Sequence, residues 1–191
     1  MKFICKIILR MMGWSVDDNI PKESFRSVML AAPHTTNWDG IIVRLALTAI
    51  GVPAKIAIKD SWTKFPISIL SKPMGFLGID RSPKDPNKPR KSQIEQMADF
   101  FRQHEKIALV IAPEGTRVLR KEWKMGFYHV AKMANVPITF GYLDYKRKIA
   151  GVGGFRYLTD DIKADLKPVM DFYNNIIPKF PENFSLDQRY A

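Results

Sequence analysis

Apolar positions along this chain follow two rhythms that alternate from one end to the other. Residues 27–32 form a short apolar run stopped by Pro33, the mark of a buried strand. Helical spacing follows over 38–50, where Ile41, Ile42, Leu45, Leu47 and Ile50 are apolar and Gly51 is placed to close the helix. Residues 54–59 alternate as a strand does, and 67–71 predict a short helix ahead of Pro73. Prolines at 83, 86 and 89 among lysines and arginines predict an exposed basic loop over 81–91. Ser92, with Glu95 three positions on, has capping-box spacing and starts a helix running to about residue 104. The clearest buried strand is 106–112, ended by Pro113. A helix over 126–135, a strand over 136–142, a partner strand over 148–152 and a helix over 160–176 complete the pattern.

Strands alternating with helices predict an α/β fold, a single-domain sandwich with a largely parallel central sheet flanked by helices. A length of 191 residues fits one such domain. No internal repeat or low-complexity segment interrupts it.

The first fourteen residues stand apart from this pattern. Lys2, Lys6 and Arg10 recur at a spacing of four, which puts them on one helix face, while Phe3, Ile4, Ile7, Ile8, Met11 and Met12 fill the rest. The stretch is too short to span a bilayer, which takes about 20 apolar residues. Its charges also break any signal-peptide core. Two settings fit: a helix lying in a membrane interface, basic groups toward headgroups and apolar groups toward acyl chains, or a helix packed on the protein's own core. Composition tips the balance toward the interface. Hydrophobic content of 46% and charged content of 26% are ordinary for a folded protein, but a net charge of +11 favours an anionic partner. The expected division is therefore an amphipathic membrane-surface helix over 1–14 and the main domain over 15–191, with the protein peripheral (monotopic) on the cytoplasmic face of a membrane. Cys5 is the only cysteine, so an internal disulfide and a cysteine-based zinc site are excluded.

Candidate chemistry lies in two segments, each directly after a predicted strand, where open α/β sheets place their binding crevice. In the first, His34 is followed five positions later by Asp39 near the start of a helix. A turn between them brings the carboxylate back to the imidazole, fixing its tautomer and leaving the other nitrogen to take a proton. Alone, that spacing equally describes a surface histidine beside a helix cap. In the second, Glu114, Gly115, Thr116 and Arg117 place an acid, a glycine, a hydroxyl and a cation in one turn. Arg117 can grip a phosphate or carboxylate through two hydrogen bonds, Gly115 lets a ligand approach the backbone, and Glu114 can receive a donor or position His34. His104 and His129 lack a spaced ligand set, so no metal is expected, and no cofactor is implied.

At these residues the chain resembles the glycerophospholipid acyltransferases, the lysophosphatidic acid acyltransferase superfamily. The His-x-x-x-x-Asp motif of that family is met by His34 and Asp39, and its Glu-Gly-Thr-Arg motif by Glu114, Gly115, Thr116 and Arg117. Between them, Gly75 to Arg81 resembles its Gly-x-x-x-Ile-x-Arg segment. Lys124 and Gly126 match a Lys-x-Gly that follows, and Val136, Pro137 and Ile138 begin the fourth motif, where Phe140 replaces its second proline. The resemblance covers residues 28–142 and keeps the family's order. It implies an O-acyltransferase, with His34 as base, Asp39 orienting it, and Arg81 and Arg117 binding the acceptor's phosphate. The donor would be acyl-CoA or acyl-carrier protein and the acceptor a lysophospholipid such as 1-acylglycerol-3-phosphate, or a lyso-aminolipid. A non-catalytic basic module for anionic membranes is the alternative from another class; no nucleic-acid-binding motif is visible.

Overall fold

The computed structural model describes residues 1–64, 69, 75–80 and 91–191. Helices are α1 (Lys2–Met11), α2 (Asn37–Ile50), α3 (Gln93–Gln103), α4 (Gly126–Ala134) and α5 (Ile162–Tyr173). Strands are β1 (Ser15–Val16), β2 (Arg26–Ala31), β3 (Ala54–Lys59), β4 (Phe76–Ile79), β5 (Ile107–Ile111), β6 (Ile138–Asp144) and β7 (Ile149–Arg156). The predicted helix over 67–71, save residue 69, and the predicted basic loop over 81–90 fall outside the described residues.

One seven-stranded sheet runs in the order β1-β7-β6-β2-β5-β3-β4. Every pairing is parallel except β6 with β7, so β7 and the short β1 run against the other five strands. The expected α/β sandwich with a largely parallel sheet is what forms.

Burial on both faces explains the unbroken apolar strands. Val28, Leu30, Ile107 and Leu109 point into a core shared with Phe127, Val130, Leu166 and Tyr173 of α4 and α5. The intervening Met29, Ala108 and Val110 point the opposite way, toward Leu47 of α2. Alternate residues of one strand thus serve two cores. α2 also shares a cluster with α1, in which Leu9, Trp14, Ile42, Ala46 and Ala49 meet Leu143 and Ala150 of the sheet.

Topology brings the two candidate segments together. β2 and β5 are neighbours in register, with Leu30 opposite Ile111, so their C-terminal ends stand side by side. The loops leaving them carry His34 and Glu114, which are 80 positions apart in sequence. Gly75 opens β4 with a φ of 76°, and a Cβ there would lie 3.1 Å from the Ala54 carbonyl, so only glycine fits without displacement.

Candidate active site

α2 is capped by the residues that build the site. Thr36 is the N-cap and Asp39 closes the capping box, its Oδ2 accepting the Thr36 backbone N–H at 2.9 Å. The same Oδ2 accepts the Thr35 N–H at 2.9 Å and faces His34 Nδ1 at 3.2 Å. A carboxylate can only accept, so Nδ1 carries the proton of this pair and Nε2 is left with its lone pair. Among the described residues no hydrogen bond engages Nε2. Asp39 is 3% exposed, and its second oxygen accepts the Tyr145 hydroxyl at 2.6 Å. One aspartate therefore serves the helix end and the histidine together.

Glu114 approaches His34 from the β5 side. Its Oε1 accepts the His34 backbone N–H at 3.0 Å, while Oε2 is buried with no hydrogen-bond partner among the described residues. Burial pushes the carboxyl up to about 7, against the smaller opposing pull of its hydrogen bonds from backbone N–H groups. At neutral pH the group is poised between its two protonation states.

Gly115 turns the chain with a φ of 65°, and the Lys124 side chain lies across it, its nearest carbon 2.8 Å from where a Cβ would sit. Thr116 Oγ1 accepts the Val118 N–H at 3.3 Å, which bends the loop around Arg117. Neither Arg117 nor the Lys124 ammonium has an ion pair among the described residues. Arg81 lies outside the described residues.

The C-terminal tail holds that loop, an arrangement with no signal in the sequence pattern. Trp123 donates its N–H to Asp187 Oδ2 at 3.0 Å, and Arg189 Nη2 donates to the Trp123 carbonyl at 2.7 Å. The Gln188 N–H donates to the Lys121 carbonyl at 3.0 Å. Burial alone pushes the Asp187 carboxyl up, but the Arg189 guanidinium and two backbone N–H donors together hold it below the usual range.

His34 borders two spaces of different character. On one side is a cavity of 140 Å³ between α2 and the sheet, lined by Ala31, Val43, Ile56, Val110 and Leu143. On the other is a groove of 700 Å³ walled by Gly115, Thr116, Arg117, Lys124 and Met97. An apolar pocket and a cationic groove that share one histidine in their walls can hold a molecule with a greasy chain, an anionic part and a reacting group between them.

At the N-terminus α1 rests on the domain along one side. Lys6 pairs with Asp18 at 2.9 Å, the Lys2 ammonium packs against Gly51, and Leu9 is buried. Yet Phe3 is 75% exposed and Met11 83% exposed. The helix packs on α2 through a narrow seam and leaves an apolar face outward. Trp38 and Ile41 of α2 are also exposed. Among the described residues no helix is long and apolar enough to cross a membrane.

The model of the family described as "Acyltransferase" matches residues 15–139. Among solved structures, the crystal structure of the 1-acyl-sn-glycerophosphate (LPA) acyltransferase, PlsC, from Thermotoga maritima is similar in fold. The TM-score is 0.58 at 12% identity, over 90% of this chain and 73% of that one. No curated protein matches the sequence.

Proposed function

This chain belongs to the acyltransferase family, and on that premise we propose that it moves a fatty acyl group from an acyl thioester to the free hydroxyl of a lysophospholipid. The observation that carries the reading is His34, with Nδ1 turned to Asp39 and the residue lining both the apolar cavity and the cationic groove. Nε2 takes the proton of the acceptor hydroxyl as its oxygen attacks the thioester carbonyl carbon. Asp39 steadies the imidazolium that forms. The tetrahedral intermediate then expels the thiolate, which recovers the proton from Nε2, leaving an ester and a free thiol.

Arg117 and Lys124, unpaired among the described residues, suit an anionic acceptor such as 1-acylglycerol-3-phosphate, with Arg81 a further candidate for the same phosphate. The donor is acyl-CoA or acyl-carrier protein. Incubating the purified protein with labelled acyl-CoA or acyl-carrier protein and a panel of lysolipids, phosphate-bearing and aminolipid, identifies donor and acceptor by the diacyl product. Consumption of no thioester with any acceptor overturns the reading.

A lipid acceptor also calls for a surface where the enzyme meets it. The outward apolar face of α1, with Trp38 beside Asp39 in sequence and a net charge of +11, supports docking on an anionic bilayer. Flotation with phosphatidylglycerol-containing vesicles checks this: Phe3→Glu with Met11→Glu is expected to stay at the bottom of the gradient while still turning over detergent-dispersed substrate. Undiminished flotation of that variant sinks the docking surface.

A further inference from the structure

No motif marks the turn between β6 and β7, yet it reaches the site through Tyr145. This side chain is pinned from several directions. Its ring meets Trp14 edge-on at 4.9 Å and 90°, and the Lys148 ammonium lies over it, 5.2 Å from the ring centroid. The Tyr145 backbone N–H donates to the Ile177 carbonyl at 2.8 Å. The turn is closed by Asp144, which accepts from both the Arg147 N–H and Arg147 Nε at 2.8 Å. A hydroxyl held this way cannot swing, and it donates to Asp39 Oδ1 at 2.6 Å.

That bond completes the carboxylate. The Thr35 and Thr36 N–H groups and His34 Nδ1 all address Oδ2, whereas among the described residues only Tyr145 addresses Oδ1. With the carboxylate 3% exposed, water is a poor substitute. Without the hydroxyl, Asp39 keeps donors on one oxygen alone and its carboxylate can pivot about that oxygen. Burial, followed by the hydrogen bond to Asp39, holds the Tyr145 hydroxyl protonated far above the ordinary tyrosine range, so it remains a donor at every working pH.

We infer that Tyr145 is a positioning residue for acyl transfer, which acts through Asp39 to fix the plane and charge of the carboxylate that His34 faces. The inference rests on the reading of His34 as the base. Other charged groups near the pair are Glu114 behind the His34 backbone, Lys148 above the Tyr145 ring, and Arg117 and Lys124 across the groove. None of them donates to Oδ1.

Tyr145→Phe keeps the ring, its edge contact with Trp14 and the cation above it, and removes only the donor. We expect kcat to fall about tenfold with KM within about twofold, as for loss of one hydrogen bond to a charged group. The acidic limb of the pH–kcat profile should move to higher pH, because a carboxylate stripped of a donor attracts the imidazolium more strongly. In an Asp39→Asn background the same change should cost nothing further. An unchanged kcat and limb, a loss shared by KM, or a full second tenfold loss in the Asn background each overturns the inference. The His34 ring signals followed by NMR through the same pH range give a readout without turnover, with the transition moving upward in Tyr145→Phe. If His34→Ala still transfers acyl groups, the base assignment fails by itself, while a static NMR transition in Tyr145→Phe fails the inference about Tyr145.

Discussion

In the loop after β2, the Asp39 carboxylate engages three donors on one oxygen and a fourth on the other, and the histidine beside it has one nitrogen committed. In the loop after β5, by contrast, Arg117 and Lys124 have no ion pair, and a buried carboxyl oxygen of Glu114 no hydrogen bond, among the described residues. Adjacent strand ends thus support a saturated corner and an unsaturated one. The contrast follows the work each would do. Proton transfer needs a base already aligned before substrate arrives, since realignment would add to the barrier. Binding an anion needs donors that the protein has not already occupied, with the peptide behind them held by the tail through Asp187 and Arg189.

The contrast breaks first at His34. His34→Ala is expected to lower kcat about a thousandfold with a much smaller effect on the thermal midpoint, because the role proposed for the imidazole is that of general base. Near-normal turnover in that variant would show the aligned corner to be structural only.

Glu114 tests the unsaturated corner through pH. Its carboxyl ionises near 4.5 when unfolded and is pushed up to about 7 when folded. Between those values the unfolded chain binds fewer protons, so stability is fully present below 4.5, declines as pH rises through the window, and levels off above about 7. The contribution is about 3 kcal/mol. Denaturant midpoints of the wild type measured across this range should trace the decline, and those of Glu114→Gln should be nearly flat. An equal slope in the two proteins refutes the assignment.

The smallest effect sharpens the division between binding and chemistry. Arg117→Ala should raise KM about thirtyfold for a phosphate-bearing acceptor and leave kcat close to normal, as expected for loss of ground-state binding. For an acceptor without phosphate the variant should match the wild type. A fall in kcat with unchanged KM would place Arg117 in the chemistry instead.

Much of the scaffold was legible in the sequence because strand and helix rhythms here are long and uninterrupted. The predicted strand over 54–59 matches β3, the helix over 38–50 matches α2 to within a residue, and the Ser92–Glu95 capping box forms at the start of α3. β1 and β4 carry too few residues to show an alternation, and β4 has Gly78 within it. Of the site, His34 and Asp39 are close in sequence, so a single turn could be foreseen to join them. Glu114 was read as able to position His34 because both follow predicted strands, and its contact spans 80 positions. The contacts of Tyr145 with Asp39 and Asp187 with Trp123 span 106 and 64, and local pattern carries no information at that range. The partners of α1 were out of reach for a related reason. Periodicity separates basic from apolar positions, but which side turns inward depends on Asp18 and Gly51, outside the helix.

The pairing of β2 with β5 has one more implication. His34 and Glu114 keep their spacing only while Leu30 lies opposite Ile111, so slippage by one residue would displace one loop by about 3.3 Å and turn its side chains to the other face. A partly assembled sheet therefore has no weakened form of this site; it has none. Turnover becomes a gauge of strand alignment, and the fraction of molecules able to react is the fraction that has finished folding.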